Sequence, residues 1–300
     1  VNVIEEVAPT LDGAVSHTFC DMPGSLVFGS GGSTTLVAGG KADAPSLSWL
    51  KLPEGFCAHY FAHVPTGRQI RFAPGGELFV ASPSTPTAGG APAGLGAIVV
   101  LTDDNHDGYA DGDVFPHSDG DTQDLNTFLN DSSVASTQGL LFTPGFFYYQ
   151  SGTSILRLPY ATGQRAASGT PDTIANITMF VTSDHWPKTL DIADDGTIYV
   201  GNGGDQGDPC VAGTTLPRPF HGGILSIGGK SDPLGGTPIA RGFRNPIAVR
   251  CQRGHNLCFS VELGLDGSGS EGGREKVVPI RDGDDWGFPC CATTNVPYAG

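Results

Sequence analysis

A histidine at the mouth of a hairpin is the first group in this chain placed to do chemistry. The run Ser183-Asp184-His185-Trp186-Pro187-Lys188-Thr189-Leu190-Asp191-Ile192-Ala193-Asp194-Asp195-Gly196-Thr197-Ile198-Tyr199-Val200 reads as histidine, strand, Asp-Gly turn and strand, followed by a Gly-rich loop from Gly201 to Gly207. A neutral imidazole can take a proton near neutral pH. The bland alternative is that His185 caps a strand edge. A second constellation is Asp103-Asp104-Asn105-His106-Asp107-Gly108-Tyr109-Ala110-Asp111. Its D-x-N-x-D-G-x-x-D spacing turns alternate oxygens inward, which suits calcium, and Gly108 permits the sharp turn. Asp103, Asn105, Asp107, Tyr109 and Asp111 are the expected ligands. Val114 stands at the twelfth position where an EF-hand carries Glu, so the loop predicts a dockerin-like or blade-insert calcium site with a structural role. Its alternative is a solvated acidic turn.

The elements that must hold these groups are short strands. Four copies of one pattern recur: Arg68 to Ser82, Thr137 to Gln150, Lys188 to Gly201 and Ile247 to Val261. Each pairs an alternating apolar strand with a turn rich in Gly, Pro or Asp and a second strand rich in aromatic and β-branched residues. Three are followed by a further strand, at Gly96 to Leu101, Ser154 to Leu158 and Gly223 to Ile227. A unit of three to four strands recurring roughly every 50 to 70 residues predicts an all-β fold, a β-propeller. A β-sandwich is the alternative, but it would not predict a repeated internal pattern. Residues 1–48 fit the pattern poorly and read as an N-terminal extension. Residues 49–300 read as the propeller domain, with Leu50 to Val64 as a lead-in strand that completes a blade.

Composition agrees with that architecture. With 45 Gly and 23 Pro in 300 residues, long helices are disfavoured. No apolar run is long enough to cross a bilayer. A formal net charge of −15 disfavours nucleic acid and anionic membrane surfaces as partners, and suits an exported, calcium-binding protein. The sequence opens at Val1 with neither an initiating Met nor a signal-peptide pattern, which predicts a processed form or a shortened piece. The cysteines are Cys20, Cys57, Cys210, Cys251, Cys258, Cys290 and Cys291. None shows zinc-site or haem-attachment spacing. Disulfides in a secreted or periplasmic protein are expected, with Cys251 and Cys258 placed to bridge a hairpin. Cys290-Cys291 could form a vicinal disulfide or pair elsewhere. Asn130-Asp131-Ser132 and Asn176-Ile177-Thr178 are glycosylation sequons, meaningful only in a host that glycosylates.

Taken in order, the motifs resemble those of the soluble glucose and sorbosone dehydrogenase family, quinoproteins that use pyrroloquinoline quinone (PQQ). The residues that carry the likeness are Leu52-Pro53-Glu54-Gly55-Phe56, the hairpin from Arg68 to Val80, the Asp-rich insert, Asp184-His185 before a hairpin ending in Gly204-Asp205-Gln206-Gly207, Gly242-Phe243-Arg244-Asn245-Pro246, and Gly283-Asp284-Asp285-Trp286-Gly287-Phe288-Pro289. They span roughly Leu50 to Pro289. The resemblance implies a propeller, six-bladed if complete, with about four to five blades in this chain and a site at one end of the central channel. Six blades would need on the order of 100 more residues. It implies PQQ and calcium as cofactors, a sugar or related alcohol as substrate and an external electron acceptor. By matching position, His185 becomes the general base and Asp184 orients the sugar. Arg244 and Asn245 contact the quinone, and Asp205 and Gln138 contact substrate. The backbone carbonyls of Gly264 and Leu265 hold the cofactor calcium. Two departures stand out: Leu265 replaces a common Pro, and the interval from His185 to Asp205 is about one residue longer than in the glucose enzymes.

Oxidising a sugar hydroxyl requires a base for the O–H proton and an acceptor for the C–H hydride. Two further readings remain open from the residues. One is a non-catalytic, calcium-stabilised propeller that binds a protein or glycan, which would have no need of His185 or Arg244. The other is a calcium-dependent propeller hydrolase such as a lactonase, which would need acidic and Asn ligands converging from several blades.

Overall fold

Turn-forming residues cut the chain into strands of two to eight residues, and among the described residues these pair with their sequence neighbours except where Cys57–Ala58 pairs with Leu26–Phe28. A computed structural model describes residues 19–84, 93–113, 125–177, 185–204, 222–228, 235–264 and 275–288. Asp184, Asp205, Leu265, Cys210, Cys290 and Cys291 lie outside the described residues. Among the described residues the helical pieces are single 3₁₀ turns, and the rest of the regular structure is β. The all-β propeller expectation holds.

Contacts divide the chain into two compact units, Val1–His63 with Thr102–Leu125, and Val64–Leu101 with Asn126–Gly300. The first unit contains β1 (Leu26–Phe28), β2 (Thr34–Leu36) and β3 (Cys57–Ala58), in the order β2-β1-β3. A disulfide between Cys20 and Cys57 ties the chain ahead of β1 to β3.

The second unit holds four successive antiparallel sheets. The first is β4 (Ile70–Phe72), β5 (Leu78–Ser82), β6 (Ala97–Leu101) and β7 (Thr127–Leu129). The second is β8 (Leu140–Thr143), β9 (Phe146–Ser151), β10 (Ser154–Pro159) and β11 (Asp172–Asn176). The third is β12 (Leu190–Ile192), β13 (Ile198–Asn202), β14 (Gly223–Ile227) and β15 (Thr237–Arg241). The fourth contributes β16 (Asn245–Gln252), β17 (Leu257–Leu263) and β18 (Lys276–Pro279). Cys251 and Cys258 face each other in the β16–β17 ladder and form the expected hairpin disulfide.

Each sheet is a blade packed on the next. Ile98 and Val100 of the first blade pack with Leu140, Phe147 and Tyr149 of the second. Ile155 and Ala175 of the second meet Leu190, Ile198 and Val200 of the third. Ile224 and Ala240 of the third meet Val249, Cys258 and Val278 of the fourth. Burying this apolar surface is the main stabilising term. Its interblade origin shows at one repeated position. Leu140, Leu190 and Val249, at the matching position of their first strands, are each 0 % exposed, whereas Ile70 of the first blade is 54 % exposed.

Polar bonds lace the first strands together. Gln69 exchanges two bonds with the Leu140 backbone, donating at 3.1 Å and accepting at 3.3 Å. Arg71 reaches further, donating to Leu140 O at 3.0 Å and Leu190 O at 2.5 Å, and pairing with Asp191 at 3.4 Å. Asp191 in turn accepts from Cys251 N at 2.9 Å.

Candidate active site

The entrances to the third and fourth blades converge on one residue, Gly204. His185 is buried at the start of the turn that feeds β12, with Nδ1 hydrogen-bonded to Gly204 O. A carbonyl oxygen only accepts, so Nδ1 carries a proton, and in the neutral imidazole Nε2 is the basic nitrogen. Gly204 N donates to Arg244 O at 2.6 Å, on the turn that feeds β16. One peptide unit on each side of Gly204 therefore joins the imidazole to the residue that bears the guanidinium.

This approach requires the glycines of the loop. A Cβ on Gly203 would lie 2.4 Å from the His185 Cβ and 2.8 Å from its carbonyl oxygen. A Cβ on Gly222, whose φ is +59°, would lie 2.0 Å from Phe243 O. Contacts under 3 Å to backbone leave no room for a side chain. Gly203 and Gly204 directly after β13 and Gly222 directly ahead of β14 are thus the floor on which both entrances rest.

Arg244 is buried and held from two sides. Its backbone N donates to Glu262 Oε1, and its Nη1 donates to Gly264 O at 2.7 Å. Glu262 is paired with Lys276 at 2.8 Å, and Lys276 Nζ also donates to Trp286 O at 3.1 Å. His185 and Arg244 hold matching places in consecutive blades: each side chain bonds the carbonyl two residues beyond Asn202 or Glu262 respectively. Asn202 is 0 % exposed, and neither Oδ1 nor Nδ2 has a hydrogen-bond partner among the described residues; the same holds for Asn245 Oδ1. Buried amides without partners are costly. They suit a site that a polar ligand completes. Buried Arg244 and the unpartnered Oδ1 of Asn245 suit a carboxylate- and carbonyl-bearing cofactor such as PQQ, while Gly203, Gly204 and Gly222 let the backbone close around His185 and Phe243.

Sequence reasoning missed the groups behind His185. Gln150 Oε1 accepts from Gln138 N at 3.1 Å and Lys188 N at 2.9 Å, while its Nε2 donates to Trp186 O at 2.9 Å. Gln138 is buried at this junction. Lys188 is also buried and donates from Nζ to Trp186 O. Burial pushes its amine well below the usual lysine range. Arg68 of the first blade lies with Cζ 5.9 Å from the Trp186 ring centre. The available signal was a lysine three residues after the histidine, in a stretch otherwise headed for the core.

In the first unit, the loop from Asp103 to Asp111 turns its oxygens inward onto its own backbone. Asp103 accepts from Asp107 N and Gly108 N, each at 2.9 Å, and Asn105 Oδ1 accepts from Asp107 N at 2.9 Å. Asp111 accepts from Thr102 Oγ1 at 2.8 Å and Asp104 N at 2.9 Å. Partial burial pushes the Asp107 carboxyl up, but the Tyr109 N–H, Lys41 at 3.0 Å and Asn105 outweigh it and hold it below its ordinary value. His59 Nε2 bonds Gly108 O at 2.8 Å, and the buried Tyr109 ring lies 4.9 Å from the imidazole. Among the described residues no group of three or more His, Cys, Asp or Glu side chains is arranged as a metal site. The donor set is nonetheless all oxygen, the chemistry that calcium takes. In the second unit, Gly264 O already accepts from Arg244 and has a second lone pair for another partner.

No protein-family model and no curated protein matches the chain. Solved structures do. A carbohydrate-active enzyme of family AA12 from Trichoderma reesei, solved with calcium, superposes with a TM-score of 0.53 at 18% identity, over 77% of this chain and 57% of that one. A Thermus thermophilus oxidoreductase described as a glucose dehydrogenase gives 0.51 at 16% identity, over 77% and 67%. A further glucose dehydrogenase gives 0.52 at 13% identity, over 76% and 64%. The chain thus spans about three-fifths of the length of the AA12 structure that it matches. What these likenesses share with the chain is its architecture: it has the β-propeller fold found in glucose dehydrogenases and in the AA12 enzyme.

Proposed function

We propose that the protein is a quinoprotein dehydrogenase that oxidises a hydroxyl of a sugar or related alcohol, with His185 as general base. The observation that carries this reading is the junction at Gly204, which joins a buried, singly oriented imidazole to a buried arginine. When bound, PQQ supplies the two-electron acceptor for the hydride that leaves the substrate carbon. The residues of the chain do the rest. His185 Nε2 takes the hydroxyl proton, and the Gly204 carbonyl holds Nδ1–H and so stabilises the imidazolium that forms. The substrate loses one proton to His185 and one hydride to the acceptor, leaving a carbonyl or lactone. An external electron acceptor then takes the electrons.

Arg244 and Asn245 would hold the carboxylate and quinone oxygens of the cofactor. The carbonyls of Gly264 and Leu265 would offer oxygens to a calcium ion there, and Asp184, Asp205 and Gln138 would contact the sugar. A second calcium in the Asp103, Asn105, Asp107, Tyr109 and Asp111 loop would have a structural role. Two disulfides support export to an oxidising compartment. Among the described residues no helix is long and apolar enough to cross a membrane.

The test is calorimetric titration of PQQ into metal-stripped protein, with and without calcium. Calcium-dependent, stoichiometric binding that weakens in Arg244→Ala is expected, followed by dye-linked oxidation of a member of a sugar panel. Absence of binding leaves the alternative, a calcium-stabilised propeller that binds a protein or glycan.

A further inference from the structure

Lys188 is 1 % exposed, and both its backbone and its side chain serve the turn that carries His185. Its backbone N donates to Gln150 Oε1 at 2.9 Å, and its Nζ donates to Trp186 O at 2.5 Å. Gln150 Nε2 donates to the same carbonyl at 2.9 Å. That carbonyl belongs to the Trp186–Pro187 peptide, and proline has no N–H to offer. The Trp186 oxygen is therefore the polar handle of the turn, and two buried side chains hold it. On its other side the turn is fixed by the close approach of Gly203 to His185 and by the bond from His185 to Gly204.

The blade itself has no need of an amine here. Lys188 stands two residues ahead of Leu190; the matching places ahead of Ile70, Leu140 and Val249 carry Arg68, Gln138 and Ile247. An isoleucine serves in the fourth blade. Burying an amine is unfavourable unless it has a partner to serve. One partner it serves here is the carbonyl next to the candidate base.

We infer that Lys188 is a positioning residue for His185: its sealed amine holds the Trp186 carbonyl, and with it the turn that aims the imidazole. This rests on the reading of His185 as the base, but its test is separable from that reading. Side-chain ¹H–¹⁵N spectra of the ligand-free protein are recorded for wild type, Lys188→Met and Lys188→Gln, with His185→Gln to assign the signal. Lys188→Met is expected to shift and broaden the His185 signals while leaving the other histidines in place. Lys188→Gln, which keeps a shorter donor, should give a smaller shift. Unchanged His185 signals in folded Lys188→Met would overturn the inference. Should neither variant fold, the wild-type Lys188 Nζ signal decides: slowly exchanging protons support the clamp, and rapid exchange with solvent overturns it. None of these readouts needs PQQ, so they stand whether or not the protein proves to be a quinoprotein. If it does, loaded Lys188→Met should lose kcat, by up to about 10²-fold, with KM little changed.

Discussion

The third and fourth blades offer the same place to two different chemistries. Behind His185 stand neutral donors and a deeply buried amine, Gln150 and Lys188, both on one carbonyl. Behind Arg244 stands an ion pair, Glu262 with Lys276. The difference follows from what each entrance presents. A guanidinium is always charged and does not titrate in use, so a charged support does it no harm. If His185 is the proposed base, its imidazole must gain and lose a proton, a task to which supports such as Gln150 are suited because they do not fix its charge. Two entrances built on one glycine floor are thus tuned by what lies behind them.

Removing the imidazole should break the comparison most severely. His185→Ala is expected to lower kcat by about 10² to 10⁴, while calorimetry still finds PQQ binding through the fourth-blade side. Loss of binding together with turnover would mean that the two entrances do not act separately. Next in size is Glu262→Gln. It leaves Lys276, a largely covered amine, without its carboxylate, a change worth about 3 kcal/mol, and should lower the urea midpoint and weaken PQQ binding more than Lys188→Met does. Equal effects from the two variants would erase the distinction drawn between the blades. Gly222→Ala, forced against Phe243 O at positive φ, should cost about 2 kcal/mol in stability. Because the floor is shared, it should disturb the spectral signals of both entrances; a disturbance confined to Arg244 would argue against a common floor.

The last effect, the smallest per pH unit, sharpens the contrast through pH. Burial holds the Lys188 amine well below the usual lysine range. Below the unfolded value of about 10.4, the unfolded chain binds a proton that the folded state refuses. Stability should therefore fall as pH falls from that point until the depressed folded value is reached, by at most about 1.4 kcal/mol per pH unit. In Lys188→Met this component of the slope should vanish. Urea melts across the alkaline range would show it, and identical slopes for wild type and variant would remove the buried-amine account.

The blades were legible in the sequence because their signals are local. The Ile192–Ile198 hairpin follows from alternation and an Asp-Gly turn, and the Cys251–Cys258 bridge follows from a short interval across a turn. His185 and Arg244 were visible as residue types at strand entrances. Their supports were not. Gln150 lies at the end of β9 and looks like one more polar residue leaving a sheet, yet it bonds a turn 36 residues away. Glu262 reads as an alternation partner in β17, with nothing to mark its bond to Arg244 N. Such contacts depend on how one blade is set against the next, which strand periodicity does not encode. The sheet of β1, β2 and β3 was hidden for another reason: its strands are only two or three residues long and sit among Gly, Ser and Thr, too short to show a period.

Arg71 has a consequence for how the blades come apart. In a string of repeats where each unit touches only its neighbours, stability behaves like a one-dimensional chain of coupled spins, and end units can fray independently. Arg71 belongs to the first blade but bonds the backbone of the second and both backbone and carboxylate of the third. It adds a next-nearest-neighbour coupling to that chain. Such a term favours shared melting of the three blades, because peeling the first away breaks its bonds to the strand that follows His185.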